Sequence, residues 1–267
     1  MGIIPFRIMD AQNPSANQET NNMKVYQQFF QGIAQVFEKI QATQGANIEE
    51  AAGLVAEAVL RDGLVHIFGT GHSNIIAEEV FARANTLAPV NQVMDLSLAG
   101  SVNTVRSFYT ERVEGLGELI YDHIRAQPQD VFIVISNSGR NAVSIDFARS
   151  AREHGHKVIV ETSVTFSRSQ PSRHSSGKRL LDYADVILDN NTPFGDHVVQ
   201  VAGMKTGLGP ASGIAGMLLV HAVLAEAAAQ IQARGVEPPV FMAGNLDGGM
   251  EYNQALLDRY WSRIRNW

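Results

Sequence analysis

Leu64-Val65-His66-Ile67-Phe68-Gly69-Thr70-Gly71-His72-Ser73-Asn74 is the stretch from which the rest of the chain can be read. Leu64 to Phe68 is a short apolar run with Val, Ile and Phe, the pattern of a strand buried on both faces. It stops at Gly69-Thr70-Gly71. From Asn74 to Arg83 the spacing predicts a helix, with Ile76, Val80 and Ala84 on one face and Ser73 as its cap. A strand, a glycine turn and a capped helix start form an anion site, because free backbone N–H groups and the positive helix end point above the strand. Thr70, His72, Ser73 and Asn74 add side chains to the backbone of Gly69 and Gly71. The same glycines also suit an ordinary strand-to-helix turn, so this loop alone is weak evidence.

A second stretch strengthens it. Val131-Phe132-Ile133-Val134-Ile135 is the clearest buried strand in the sequence, and Ser136-Asn137-Ser138-Gly139-Arg140-Asn141 follows it before another helix. Two hydroxyls and a helix start again collect donors. Two such loops, ending neighbouring strands of one sheet, point to a phosphorylated small molecule held between them.

Outward from these loops, strands and helices alternate from Leu64 to about Leu188. That is an α/β pattern, a doubly wound, mostly parallel sheet that binds ligands at the carboxyl ends of its strands. Before it, Met23–Ala42 and Ile48–Leu60 read as helices; the stripe Val25, Phe29, Ile33, Val36, Ile40 suits either core or a subunit contact. Val90–Asp95 reads as a strand, Leu96–Tyr109 as a loop, Glu111–Arg125 as a helix and Lys157–Glu161 as a strand. Thr162–Lys178 reads as a long polar loop, Asp185–Leu188 as a strand and His197–Ala202 as an extended edge. Ser212–Ala233 reads as a long helix apolar enough all round to be buried. Met250–Ile264 is a last amphipathic helix. The organisation expected is a flexible segment over residues 1–22, one domain over 23–235, and a tail over 236–267.

The chain has 267 residues, 45% hydrophobic and 18% charged, with a formal net charge of −6. No basic block stands out, which argues against a nucleic-acid partner. The absence of cysteine excludes thiolate chemistry and fits a reducing, cytoplasmic setting. No apolar run reaches ~18 residues, so no membrane span is expected, and the N-terminus has no signal-peptide order. His154-x-His156 is the one tight histidine pair and precedes a strand, at the edge away from the ligand. No metal and no cofactor are expected.

The paired loops resemble the sugar isomerase (SIS) family. Gly69-Thr70-Gly71-His72-Ser73 is similar to that family's first glycine loop, and Ile135-Ser136-Asn137-Ser138-Gly139 to its Ser-x-Ser-Gly phosphate loop. Gly203-Met204-Lys205-Thr206-Gly207 with Ser212 resembles a segment of the family's muramic-acid-phosphate etherases. Pro171-Ser172-Arg173-His174-Ser175-Ser176-Gly177-Lys178-Arg179-Leu180 and the tail Glu237-Pro238-Pro239-Val240-Phe241 resemble a phosphosugar isomerase-like branch. The resemblance implies a flavodoxin-like three-layer sandwich with a five-stranded sheet, a phosphosugar ligand, and a homodimer or homotetramer with sites near the subunit interface. It implies a binding set of Gly69, Thr70, Gly71, His72, Ser73, Asn74, Ser136, Asn137, Ser138, Gly139, Asn141 and Ser212.

Isomerising a sugar phosphate needs a base beside the carbonyl and an acid to pass protons between oxygens. The family's catalytic Glu would fall at Arg83 here. Glu78 and Glu79 stand one helical turn earlier, roughly 6 Å nearer the loop at 1.5 Å per residue. His221 lies near where the phosphoheptose isomerases carry a catalytic His, and a hydrogen-bonded core His is the plain alternative. His174 belongs either to a lid over the ligand or to a solvated basic turn. The candidate acid–base set is therefore Glu79, Glu78, His221 and His174. An aldose–ketose isomerase is the leading reading; an etherase-like lyase and a non-catalytic phosphosugar sensor are the alternatives. A nicotinamide-binding reading carries little weight, because Asn74 replaces the third glycine and Ser136–Gly139 has no role in it.

Overall fold

The computed structural model describes residues 23–264. The expected flexible segment over 1–22 lies outside the described residues. The chain runs α1 (Val25–Thr43), α2 (Gly45–Leu60), β1 (Val65–Gly69), α3 (Ser73–Val80), β2 (Val90–Val93), α4 (Thr104–Thr110) and α5 (Leu116–Ile124). It continues with β3 (Val131–Ile135), α6 (Ala142–Glu153), β4 (Lys157–Thr162), α7 (Val164–Ser169) and β5 (Val186–Asp189). Then come β6 (His197–Val199), β7 (Leu208–Pro210), α8 (Ser212–Ala233) and α9 (Gly249–Tyr260).

Five strands pair in parallel in the order β2-β1-β3-β4-β5. The alternation of side chains across each strand explains how both faces are covered. Ile67, Ile133, Ile135, Ile159 and Leu188 face one layer, where they pack with Val55, Val59, Ile76, Val80, Leu219 and Val223 of α2, α3 and α8. Phe68, Phe132, Val134, Val158 and Val160 face the other, against Tyr121, Val143 and Phe147 of α5 and α6. Each such aliphatic side chain contributes about 1.5–3 kcal/mol by leaving water. The helix after β1 therefore goes to one face and the helix after β3 to the other. Since β1 and β3 are neighbours, a crevice opens between their carboxyl ends.

Several sequence expectations shift. His72, not Ser73, stands at the N-cap of α3, and Ser73 is its first helical residue with no capping bond. α3 stops at Val80, because Phe81 is extended and Ala82 has φ +48°. The helix expected from Glu111 begins only at Leu116, after Gly115 at φ +83°, and Val113 is exposed. The expected loop over Leu96–Tyr109 contains α4, capped by Asn103 Oδ1 accepting from Arg106 N at 3.0 Å. The expected loop over Thr162–Lys178 contains α7, whose cap Ser163 accepts from Phe166 N at 3.2 Å. His197 begins a separate antiparallel hairpin with β7 rather than an edge of the main sheet. α8 is long and apolar enough to cross a membrane by length and composition alone, a test that buried core helices also pass. Its stripe Ala215, Leu219, Val223, Ala227 and Ile231 lies in the core, while Ile214 and Leu218 are exposed, so it is not buried all round.

At the opposite end of the sheet one carboxylate gathers three segments. Asp130 accepts from Leu64 N at 2.8 Å, Gln127 N at 2.7 Å, His66 Nε2 at 3.0 Å and Arg263 Nη2 at 2.8 Å. His66 Nδ1 stands 2.9 Å from the Asn91 amide nitrogen. His156 Nδ1 meets Asp130 O at 3.2 Å and His154 Nδ1 meets Ser150 O at 2.8 Å, so one ring nitrogen of each histidine is engaged by backbone at this edge. Burial pushes the Asp130 carboxyl up, but the hydrogen bond and charge of His66 and the two backbone donors outweigh it and bring it to about 2. A depressed carboxylate adds stability above its unfolded pKa and loses it as pH falls through the folded value. Asp130→Ala is expected to cost about 3–5 kcal/mol by stranding buried donors. In urea unfolding between pH 4 and 2, the wild type should lose stability that this variant never had.

Candidate functional site

The β1 loop is shaped by close backbone contact. A Cβ on Gly69 would stand 2.7 Å from the carbonyl carbon of Ser73, because the chain turns back over itself there. Ser73 N donates to Thr70 O at 3.1 Å, and Gly71 N donates to Leu98 O at 2.8 Å, which braces the loop from the side of β2. The β3 loop is braced from the other side. Asn137 O accepts from Ser163 N at 3.2 Å and from Thr162 Oγ1 at 3.2 Å, while Asn137 Oδ1 accepts from Asn190 Nδ2 at 3.0 Å and Thr192 Oγ1 at 3.1 Å. Gly139 takes φ +59° and lies too close to Ser167 Oγ for any Cβ. Its N–H donates to Ser136 Oγ at 3.2 Å.

Between the loops lies a cavity of about 170 Å³ lined by His72, Ser73, Ile76, Asn137, Glu161, Ser212 and Gly213. Four residues expected from sequence are thus brought together: His72, Ser73, Asn137 and Ser212. Glu161, on β4, is 1% exposed. Its Oε1 accepts from Asn190 Nδ2 at 2.8 Å. Burial pushes its carboxyl up to about 8; the Asn190 bond opposes this, and the charges of Asp189 and Asp196 add to it. A protonated carboxyl that can ionise near neutral pH is suited to proton transfer. A larger groove of about 480 Å³ between the end of β2 and α5 is lined mainly by aliphatic side chains, including Leu96, Leu116, Leu119 and Ile120. The smaller cavity combines donors with a perturbed acid.

The family profile described as SIS domain matches residues 28–163. This chain is a SIS-domain protein. A UPF0309 protein of Geobacillus kaustophilus is 39% identical over 237 residues, covering 89% of this chain and 94% of that protein. A UPF0309 protein of Listeria monocytogenes is 39% identical over 236 residues, covering 88% and 97%. In fold, the chain is similar to a phosphoheptose isomerase from Neisseria gonorrhoeae, with TM-score 0.51 and 16% identity over 83% of this chain and all of that one. It is similar in the same sense to the Vibrio vulnificus NanR protein complexed with ManNAc-6P, with TM-score 0.50 and 13% identity, covering 94% and 74%. The SIS fold is thus shared with an isomerase and with a protein solved with a sugar phosphate.

Within this SIS domain the remaining expected residues take other places. Thr70 Oγ1 donates to Glu111 Oε2 at 3.0 Å, on the α6 side of the crevice. Asn141 Oδ1 accepts from Arg173 Nη1 at 2.9 Å rather than capping α6. Ser138 is half-buried in the turn, and Asn74 is buried with its Nδ2 lacking a partner. Ser212 donates from N and Oγ to the Asp196 carboxylate, each at 2.7 Å, so the start of α8 already holds an anion from the chain. The loops therefore do not present one uninterrupted set of donors: two hydroxyls are turned to internal carboxylates.

Of the acid–base candidates, Glu79 and His221 meet. Glu79 Oε1 lies 3.6 Å from His221 Nε2 and 3.1 Å from Arg83 Nη1. Both sit well along their helices, about 9 Å beyond Ser73 and about 13 Å beyond Ser212 at 1.5 Å per residue. Glu78 is exposed. His174 is buried, with Nε2 3.0 Å from Asp146 Oδ1 and Nδ1 2.7 Å from Ser176 Oγ. It pins the 171–179 loop to α6. None of these four lines the cavity. Sequence reading missed Glu161 and Glu111. The available signal was a Glu ending the buried run Val158-Ile159-Val160 at the ligand edge.

A carboxyl whose folded pKa is raised gives its full stability below the unfolded value of 4.5 and loses it as pH rises through about 8. Glu161→Gln is expected to remove this loss. By urea unfolding it should gain on the order of 3–5 kcal/mol over the wild type at pH 9, with little difference at pH 4.

Proposed function

We propose that this protein binds a sugar phosphate across the β1 and β3 loops and interconverts its aldose and ketose forms. The observation that carries the reading is the buried Glu161 carboxyl on the floor of a cavity lined by both loops. The phosphate is held by the loop donors and helix starts, and the reacting carbons reach into the cavity. In the aldose-to-ketose direction, Glu161 gives its proton to the carbonyl oxygen while the His72 imidazole takes the proton from C2, leaving an enediol. Glu161 then takes the proton of the C2 hydroxyl as that oxygen becomes the new carbonyl, and His72 returns its proton to C1. Each group ends as it began, and no redox partner is needed. The Glu79–His221 pair, which does not line the cavity, remains the alternative acid–base set. The resemblance to isomerases in fold supports this reading without carrying it.

A second reading, a non-catalytic phosphosugar sensor, is favoured by one observation. The start of α8 and Thr70 already hold carboxylates of the chain, so an arriving anion displaces internal partners and shifts the loops that carry them. An etherase-like lyase is the remaining alternative.

Incubation with sugar phosphates in deuterated water, followed by proton NMR, separates the three. Isomerisation is expected to replace the C2 proton by deuterium. Glu161→Gln should slow this on the order of 10²–10⁴-fold while keeping phosphosugar binding. Tight binding without exchange favours the sensor, and lactate release from muramic acid 6-phosphate favours the lyase. Full exchange in Glu161→Gln with loss in Glu79→Gln would move the chemistry to the other pair.

A further inference from the structure

Beside the cavity, on the α6 side of the crevice, stands a group of cations that the reading above does not use. Arg140 and Arg173 meet at the start of α6, where Arg173 N donates to Arg140 O at 2.9 Å. Their guanidinium groups are held by neutral acceptors. Arg173 Nη1 bonds Asn141 Oδ1 at 2.9 Å, and Arg140 Nη1 bonds Gln170 Oε1 at 3.5 Å. Arg140 Nε is buried and has no partner. Arg112 is exposed on the segment leading from α4, and the neighbouring Glu111 O accepts from Val143 N at 3.2 Å, which fixes that segment against α6.

Electrostatics joins these residues into one cluster. Burial, then repulsion from Arg112 and Arg140, lowers the pKa of Arg173, and Glu111 is the carboxylate that opposes this. Three guanidinium charges stand against one carboxylate, Glu111, which accepts from Thr70 Oγ1 of the β1 loop at 3.0 Å. A phosphate ester carries about −1.5 to −2 at pH 7, with a second pKa near 6. Planar guanidinium forks match phosphate oxygens two at a time.

The cluster is also ordered before any ligand arrives. Arg173 is followed by His174, which is pinned to Asp146, and Ser175 N and Oγ donate to the Glu114 carboxylate at 2.7 and 2.6 Å. The 171–179 loop is thus fastened on both sides of its turn, which reduces the entropy lost on binding.

We propose that Arg112, Arg140 and Arg173 form a guanidinium clamp that takes the dianionic phosphate of the ligand at the start of α6. The proposal rests on the reading that the crevice binds a sugar phosphate, and it deepens that reading. The neutral loop donors set position, while the clamp selects charge and makes the phosphate, rather than the sugar, the main source of affinity.

Isothermal titration calorimetry tests it, using glucose 6-phosphate, ribose 5-phosphate, N-acetylmannosamine 6-phosphate, inorganic phosphate and the three unphosphorylated sugars. A sugar phosphate should bind, its unphosphorylated parent should not, and inorganic phosphate should compete with it. Affinity should rise between pH 5 and 7.5 as the ester becomes a dianion. Arg173→Ala and Arg112→Ala should each weaken binding on the order of ten- to a hundred-fold and lessen its salt dependence. Arg173→Lys should recover part of the loss, because charge remains without the fork. Arg112 is exposed, so its variant should melt with the wild type and keeps the test valid if the Arg173 variants fold poorly. Wild-type binding left unchanged by Arg112→Ala and by either Arg173 variant would overturn the clamp and leave the phosphosugar reading standing. No binding of any phosphate ester by the wild type would overturn both.

Discussion

Parallel pairing of β1 with β3 is the constraint on which the rest of this protein depends. Both strands are buried along their whole length, and their registers run together from Val65 opposite Val131 to Gly69 opposite Ile135. Parallel pairing puts both carboxyl ends at one edge. Because the following helices depart to opposite faces, the backbone groups between strand and helix are left uncovered there. Close backbone packing at Gly69 and the positive φ of Gly139 let each loop turn sharply enough to form the crevice wall.

The two flanks of that crevice differ in charge. On the α3 and α8 side stand Glu161 and, nearby, Asp196; on the α6 side stand Arg112, Arg140 and Arg173. On the reading proposed above, a ligand with an anionic end and a neutral polar end meets both. The strand alternation accounts for this division: Glu161 follows the side of Ile159, whereas Thr70 follows the side of Phe68. Neighbouring positions on a strand point to opposite faces, so the buried carboxyl and the guanidinium cluster stay apart across a single sheet layer.

The far end of the sheet is tied together by a buried carboxylate. There Asp130 draws in the starts of β1 and β3 and Arg263 from beyond α9. Phe241 and Tyr260 pack with Leu64 and Ala88 at the same end, so the C-terminal segment closes the edge away from the crevice. A buried carboxylate with four donors suits that position, since no ligand needs to displace any of them.

The strands were legible in the amino-acid sequence, because apolar runs such as Val131–Ile135 and glycine turns such as Gly69–Gly71 are local signals that need no partner to be read. It also marked the two loops and four of the residues that line the cavity. Helix ends were less legible: α3 stops at Val80 and α5 waits until Leu116, where backbone conformation at Ala82 and Gly115 overrides side-chain periodicity. What those loops face emerged only once the chain was folded. Glu161, Glu111 and Asp196 are distant in sequence from the donors they approach, and a carboxylate's neighbours, burial and protonation arise from chain segments that folding brings together.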